Sequence, residues 1–510
     1  MLPPTTPAPL AGLDPLAVPD RFSRAAHTIV VSDLHVTDAQ PREPGRPLWK
    51  RYKQRDLFID ASFARFLAFL RGEVQPDAEL VLNGDVFDFD SVMAIPDDPP
   101  FPVSWLERQR GLEAEASKSR FKFRRILDDH PVFIQALRDW ILAGHRVVLV
   151  IGNHDIELHW PGVQADLRAA LDLPPEHAGA FRVCEWFYIS NGDTHIEHGN
   201  QFDSYCLCAD PVHPTTLWRG VERVRVPFGN LAERYMLNGM GLFNPHVESS
   251  FIMSLRQYTR FFLKYMARMQ PGLAWTWFWG AVVTLVVTLR EGFLPALRDP
   301  LSLEARVEGI AARGNATPGM VWALRSLHVH PAVFSPWKIV RELWLDRAAL
   351  LALLVYASFQ FITVYNVFSP ISPWWAGVVF LLLLPPFAFY ARGVVSDVDS
   401  TEVVLRDRLP IAVQVARAGR VVIGHTHREH HTLLEHCELL NTGTWSPAYR
   451  DVECTVPFGR KCFAWVRPGD AGRTAALFEW NDPGITRVEP ERDAPPPRLR
   501  GIKDAARRAR

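Results

Sequence analysis

A chain of 510 residues in which 56 Lys plus Arg balance 56 Asp plus Glu has no global charge with which to attract nucleic acid, and none is expected as a partner. Its 48% hydrophobic content excludes a disordered chain and suits roughly two to four ordinary domains. Six cysteines without paired Cys-x-x-Cys spacing give neither a disulfide framework nor a Cys-zinc knot, so Cys206 and Cys208 read as reduced bystanders.

Residues 1–24 are Pro-rich and lack the charged start and continuous apolar stretch of a secretory signal; they read as a flexible tail, and the folded part is expected in the cytoplasm. From residue 25, short apolar runs alternate with helical patterns. "HTIVVSDLH" (27–35) is a buried strand that stops at Asp33 and His35. In "FIDASFARFLAFL" (58–70), Phe63, Phe66, Leu67 and Leu70 recur at helical spacing. "ELVLNGDVFD" (79–88) adds a strand ending at Asp85 and Asp88, and "FIQALRDWILAG" (133–144) a helix stopped by Gly144. "HRVVLVIGNHD" (145–155) ends at Asn153, His154 and Asp155, and "DTHIEHGNQFD" (193–203) delivers His198. His195 falls on the opposite strand face and reads as structural. This alternation predicts an α/β layered fold with functional residues gathered beyond the strand ends.

Residues 206–394 then form an insert that the alternating pattern does not need. Arg256, Arg260, Lys264 and Arg268 recur every four residues, a basic stripe suited to substrate or to an anionic membrane surface, with a plain solvated face as the ordinary alternative. Three uncharged stretches follow, 269–289, 348–368 and 374–391, each near the roughly 20 residues that cross a bilayer. "SPISP" (369–373) separates the last two as a turn. Trp275, Trp277, Trp279, Trp374 and Trp375 suit a bilayer interface, and Arg347 and Arg392 flank the paired stretches on the cytoplasmic side. Crossings must be even in number, because the chain returns to one site. The span 348–391 therefore reads as a two-span hairpin and 269–289 as interfacial or re-entrant, with the reverse assignment as one alternative and a buried core or lid hairpin as the other.

Core sequence resumes at 395–485. "VVIGHTHREHH" (421–431) is a fifth apolar run, and in an extended segment His425 and His427 would point to the same side. His430, His431 and His436 read as solvated loop or strand residues, and the basic stretch 486–510 as a second tail. Asp33, His35, Asp85, Asn153, His198, His425 and His427 supply oxygen and nitrogen donors without a thiolate. That donor set favours manganese, iron or zinc in a hydrolytic site, and a pair of such ions suits phosphoryl transfer.

The blocks Asp33-Leu34-His35, Gly84-Asp85-Val86-Phe87-Asp88, Gly152-Asn153-His154-Asp155, His198 and Gly424-His425-Thr426-His427 together resemble the calcineurin-like metallophosphoesterase superfamily, over residues 27–203 and about 395–480. The resemblance implies a layered β-sandwich core flanked by helices and two divalent metal ions, manganese first. It implies one ion on Asp33, His35 and His427, the other on Asn153, His198 and His425, and Asp85 between them. His154 would stand beside the ions and stabilise the phosphoryl oxygens or protonate the leaving oxygen, oriented by Asp155. Asp88 would act behind the ligands, Gly84, Gly152 and Gly424 would let the backbone turn sharply, and "LLNTGTW" (439–445) resembles the strand and turn that close this fold. "NGDVFDF" and "HGNQFD" look most like the UDP-2,3-diacylglucosamine pyrophosphatase branch, although that branch often carries Arg where His154 stands. The expected function is membrane-associated hydrolysis of a phosphoester or pyrophosphate in a lipid-linked or amphipathic substrate. The alternatives are a membrane-tethered phosphatase for soluble nucleotides or phosphoproteins, and a non-catalytic membrane assembly protein with a vestigial metal site.

Overall fold

The computed structural model describes residues 24–208, 210–242, 244, 260, 262–267, 270, 272–294, 302–394, 401–434, 437–449, 451–457, 459–470 and 472–492. Val- and Ile-rich runs of four or five residues become short strands: β1 (Thr28–Val31), β2 (Glu79–Asn83), β3 (Arg146–Val150), β4 (Phe181–Cys184), β5 (Phe187–Ser190) and β6 (Thr194–Glu197). A small hairpin, β7 (Thr215–Trp218) and β8 (Val221–Val224), is followed by β9 (Arg420–Ile423), β10 (His430–Leu433) and β11 (Glu438–Asn441). The chain closes with β12 (Cys462–Gly469), β13 (Gly472–Trp480), β14 (Ile485–Val488) and β15 (Glu491–Arg492). They build a seven-stranded sheet, β14-β13-β12-β1-β2-β3-β4, and a six-stranded sheet, β15-β10-β11-β9-β6-β5.

The strand period of two assigns alternate residues to different layers. Val30, Val81 and Val148 of the first sheet meet Tyr188, Ile196, Val422 and Leu440 of the second. Their neighbours Ile29, Val31, Leu80 and Leu149 face outward onto α1 (Asp60–Glu73), α3 (Ala116–Asp129), α4 (Pro131–Leu142) and α5 (Pro161–Leu171), while a short α2 (Trp105–Arg110) precedes α3. Phe63, Phe66, Leu67 and Leu70 are all buried on α1, each worth about 1.5–3 kcal/mol of burial. Gly144 follows α4 at φ +91°, a conformation that glycine adopts without strain.

The stretch expected as one insert divides in two. Helix α6 (Phe228–Tyr235) lies beside the strand ends, and α7 (Leu273–Phe293) packs across it so closely that a Cβ at Gly280 would meet the Met236 Cα at 2.9 Å. Arg223 pairs with Glu291, and Arg290 with Glu113 at 3.3 Å, pinning the far end of α7 to the core. Helices α8 (Leu303–Arg313) and α9 (Pro318–Arg325) cover Trp186, Phe187 and Ile189 of the second sheet, as α13 (Thr401–Val415) covers Val421, Ile423 and Leu439. The result is four layers, helices, sheet, sheet, helices.

The second part is a hairpin reached through α10 (Pro336–Glu342): α11 (Leu345–Phe368) and α12 (Trp375–Gly393). Among the described residues α7, α11 and α12 are the helices long and apolar enough to cross a membrane. The protein buries 39% of the apolar window of α7 but only 11% and 6% of those of α11 and α12. At the hairpin base Tyr390 donates to Asp346 at 2.7 Å. Of the two arginines that flank the hairpin, Arg347 is buried over the Trp344 ring at 4.4 Å and Arg392 is exposed. Strand pairing by β14 and β15 carries the sheets through Arg492, past residue 485 where a tail was expected.

Candidate metal centre

Each of the five predicted runs is a strand, β1, β2, β3, β6 and β9, and the polar residues after them converge at one edge of the sandwich. Asp33, His35 and His427 form one group and Asp85, His198 and His425 another, with donor atoms within 4.8 Å of one another in each. The Nε2 atoms of His35 and His427 are 3.2 Å apart, and His427 Nε2 lies 3.2 Å from Asp33 Oδ1. His198 donates Nδ1–H to the Asn83 carbonyl at 2.9 Å, which turns Nε2 toward Asp85 Oδ2 at 3.1 Å. Asp33 Oδ1 stands 4.0 Å from both His35 Nε2 and His198 Nε2, between the two groups.

Backbone conformation delivers these side chains in a way that residue spacing does not reveal. Asp33, His35, Asp85, His425 and His427 all have positive φ, between 48° and 67°, in the left-handed region that ordinary residues avoid. His425 and His427 are therefore not an extended pair facing one side; they lie beyond β9 and serve different groups. Of the motif glycines, Gly84 does turn the chain, at φ +78°. The other two serve close approach: a Cβ at Gly152 would sit 2.4 Å from Asp85 Oδ1, and one at Gly424 2.3 Å from Asp33 Oδ2. Asn441 donates to Thr426 Oγ1 at 2.8 Å, and Trp445 N to the Asp33 carbonyl at 3.0 Å, so "LLNTGTW" braces the loops that hold the groups.

Asp155 is not the partner of the His154 ring. Its carboxylate accepts the N–H groups of Gly152 at 2.6 Å and Val86 at 2.8 Å, tying two motif loops together. Facing His154 Nδ1 instead are Asp88 Oδ1 at 3.6 Å and, from α6, Glu233 Oε2 at 3.4 Å. Asn230 of the same helix donates to the Asn153 carbonyl at 2.9 Å. Asp203 Oδ2 lies 3.1 Å from His425 Nε2, and the free Cys206, its thiol pushed up by burial, lies close to both. Asp203 was visible as the last residue of "HGNQFD"; Asn230 and Glu233 had no local signal, being hidden in the expected insert. His195 is buried beside Glu197 at 3.1 Å, away from the groups named above. His431 is buried against Glu438 at 2.8 Å rather than solvated, and His436 lies outside the described residues. So do Arg256 and Arg268 of the basic stripe. Arg260 is exposed, and Lys264 sits in a π-helical turn, Phe262–Met266, 3.0 Å from Glu453, so α-helical spacing does not carry through it.

The charges favour a cation. Burial opposes ionisation of Asp85, yet the imidazoles of His198, His154 and His35 hold it well below the usual carboxylate range. Burial lowers His198, but Asp85 and Asp33 outweigh it and raise the ring to about 9. Burial and the Asp85 charge push Asp155 up to about 7. Asn153 Oδ1 is buried without a hydrogen-bond partner among the described residues, as an oxygen reserved for a metal should be. The residues present fit divalent ions bound by nitrogen and oxygen.

Residues 26–230 match the family model described as calcineurin-like phosphoesterase. The chain carries a calcineurin-like phosphoesterase domain. The match reaches past residue 206 and takes in Asn230 of α6. Among solved structures, two of Vps29 from Entamoeba histolytica are similar, the wild type complexed with zinc and a single mutant. Each is 20% identical over 16% of this chain and 44% of its own length, with a TM-score of 0.13. The chain thus spans less than half of those structures, and no curated protein matches it. β9 and the GHTH loop come from beyond the matched residues and complete both donor groups.

Proposed function

We propose that this protein is a membrane-associated, dinuclear metal-dependent phosphoesterase that hydrolyses a phosphoester or pyrophosphate bond in a lipid-linked or amphipathic substrate. One observation carries the reading: α6 presents Asn230 and Glu233 to the centre and packs against the apolar helix α7, so apolar surface begins one helix away from the chemistry. The uncovered apolar hairpin α11–α12 supports a bilayer as the phase around the insert.

Asp33, His35 and His427 would hold one ion and Asn153, His198 and His425 the other, with Asp85 between them. Manganese is the proposed metal, with iron or zinc as alternatives. When bound, two such ions neutralise phosphoryl oxygens and lower the pKa of a water. The chain's own residues do the rest. The His198 to Asn83 bond fixes the tautomer of that ring, and Asp203 orients His425. His154, outside both donor groups, protonates the leaving oxygen. The basic residues Arg260 and Lys264, with Arg256 and Arg268, would meet anionic headgroups on the cytoplasmic face.

The test is a hydrolysis screen of purified full-length protein with manganese, comparing lipid-linked pyrophosphates, nucleotides and phosphoproteins. Preference for the lipid-linked substrates in mixed micelles is expected. Equal or better turnover of soluble nucleotides or phosphoproteins would make the insert a tether, and no turnover of any would favour a non-catalytic assembly protein.

A further inference from the structure

Glu233 is 3% exposed, and among the described residues it pairs with no Lys or Arg. Burial and the neighbouring Asp88 raise its carboxyl well above the usual carboxylate range, and the ring that faces it is His154, 3.4 Å from Oε2. Its other oxygen, Oε1, lies 3.3 Å from the Ser91 hydroxyl oxygen, whose own proton goes to Asp88, and Asp88 Oδ1 lies 3.6 Å from the same ring nitrogen. Two acidic side chains that meet at one serine therefore flank Nδ1 of a single imidazole. Residues three and four apart share a face of a helix, and α6 uses that face consistently. Asn230 holds the Asn153 backbone at 2.9 Å, and Glu233 faces the next residue's ring. Arg234 is committed elsewhere, to Asp90 at 3.1 Å and Glu157 at 3.4 Å.

We infer that Glu233 is a positioning residue for His154, acting with Asp88 to hold Nδ1–H so that Nε2 is the nitrogen presented to the leaving oxygen. The inference rests on the role given to His154 above. As the bond from phosphorus to the leaving oxygen breaks, that oxygen keeps the electron pair and takes the Nε2 proton, while a hydroxide oxygen, its water having already released a proton to solvent, forms the new bond to phosphorus. The ring ends the step neutral, with Nδ1–H still on the acidic pair. The substrates that need Glu233 are thus those with poor, basic leaving groups.

The experiment uses the full chain in detergent with manganese and two methyl aryl phosphodiesters, one releasing 4-nitrophenol and one releasing phenol. Glu233→Gln should keep its metal content and KM, and lose about 10- to 100-fold in kcat on the phenyl ester, with far less loss on the nitrophenyl ester. In a His154→Ala background the same substitution should change kcat by less than about twofold, because the group it positions is gone. An additive loss in the double variant, or equal loss on both esters, overturns the inference. Failure of the His154 reading looks different: His154→Ala alone would then leave the phenyl ester rate intact. Should Glu233→Gln not fold, Glu233→Asp carries the same test, since a carboxyl group set back by one methylene should cost the phenyl ester selectively and an unselective loss overturns the proposal.

Discussion

The strand-end cluster and the α11–α12 hairpin invert each other's polarity. At the cluster Asp33, Asp85, Asn153 and His198 are at most 1% exposed, whereas along the hairpin Tyr356, Phe361, Val367, Leu382 and Phe389 are 58% to 78% exposed. Each arrangement is unfavourable on its own terms: buried acids and imidazoles lose water, and bare apolar helices face it. The contrast teaches that both regions are shaped for something the polypeptide does not supply, a cation in one place and, as proposed above, an apolar phase in the other. Helix α7 lies between these extremes, tied by Arg223 and Arg290 to the core while Trp275 and Phe293 stay exposed.

The largest effects are expected at the cluster. Asp85→Ala should release bound metal and reduce turnover to the uncatalysed level, read by elemental analysis and a phosphodiesterase assay; an active variant with full metal content would remove Asp85 as the link between the groups. His154→Ala should retain metal and lose about 10²–10⁴ in rate, and departure of metal with activity would move His154 into a ligand set. At the hairpin, Leu382→Lys places a charge near the middle of α12 and should cost about 2.5–3.5 kcal/mol of membrane insertion, measured by vesicle flotation. Hydrolysis of a small chromogenic diester should survive that change, because the hairpin does not line the centre. Gly152→Ala forces a methyl toward Asp85 and should destabilise the fold by about 1–3 kcal/mol in thermal melts, with weaker metal retention. The smallest effect is expected at Arg260→Glu, about 1 kcal/mol less binding to anionic vesicles. It is a cleaner probe than Lys264, which Glu453 already engages.

Much of the centre was legible because strand ends and donor types are local features. Apolar runs that stop at Asp, Asn or His named all five strands, and the helical period of α1 and α4 placed the layer that covers β1, β2 and β3. The apolar stretches of the insert coincide with α7, α11 and α12 to within four residues at each end, since a continuous uncharged run declares itself without reference to the rest of the chain.

Which residue types stand after which strands, and which segments are too apolar for a charged surface, follow from the order of residues alone. Only the tertiary structure decided that Asp155 clamps two loops while Asp88 and Glu233 face His154, because the partner of a ring depends on where distant elements cross. Only it decided that the insert divides, with α6, α7, α8 and α9 built onto the sandwich and the hairpin left uncovered, because packing is a property of facing surfaces rather than of any one stretch. The left-handed backbone at Asp33, His35, Asp85, His425 and His427 belongs to the same class: Asp and His enter that region more readily than most residues, but it is the surrounding sheets and close glycine contacts that hold all five there.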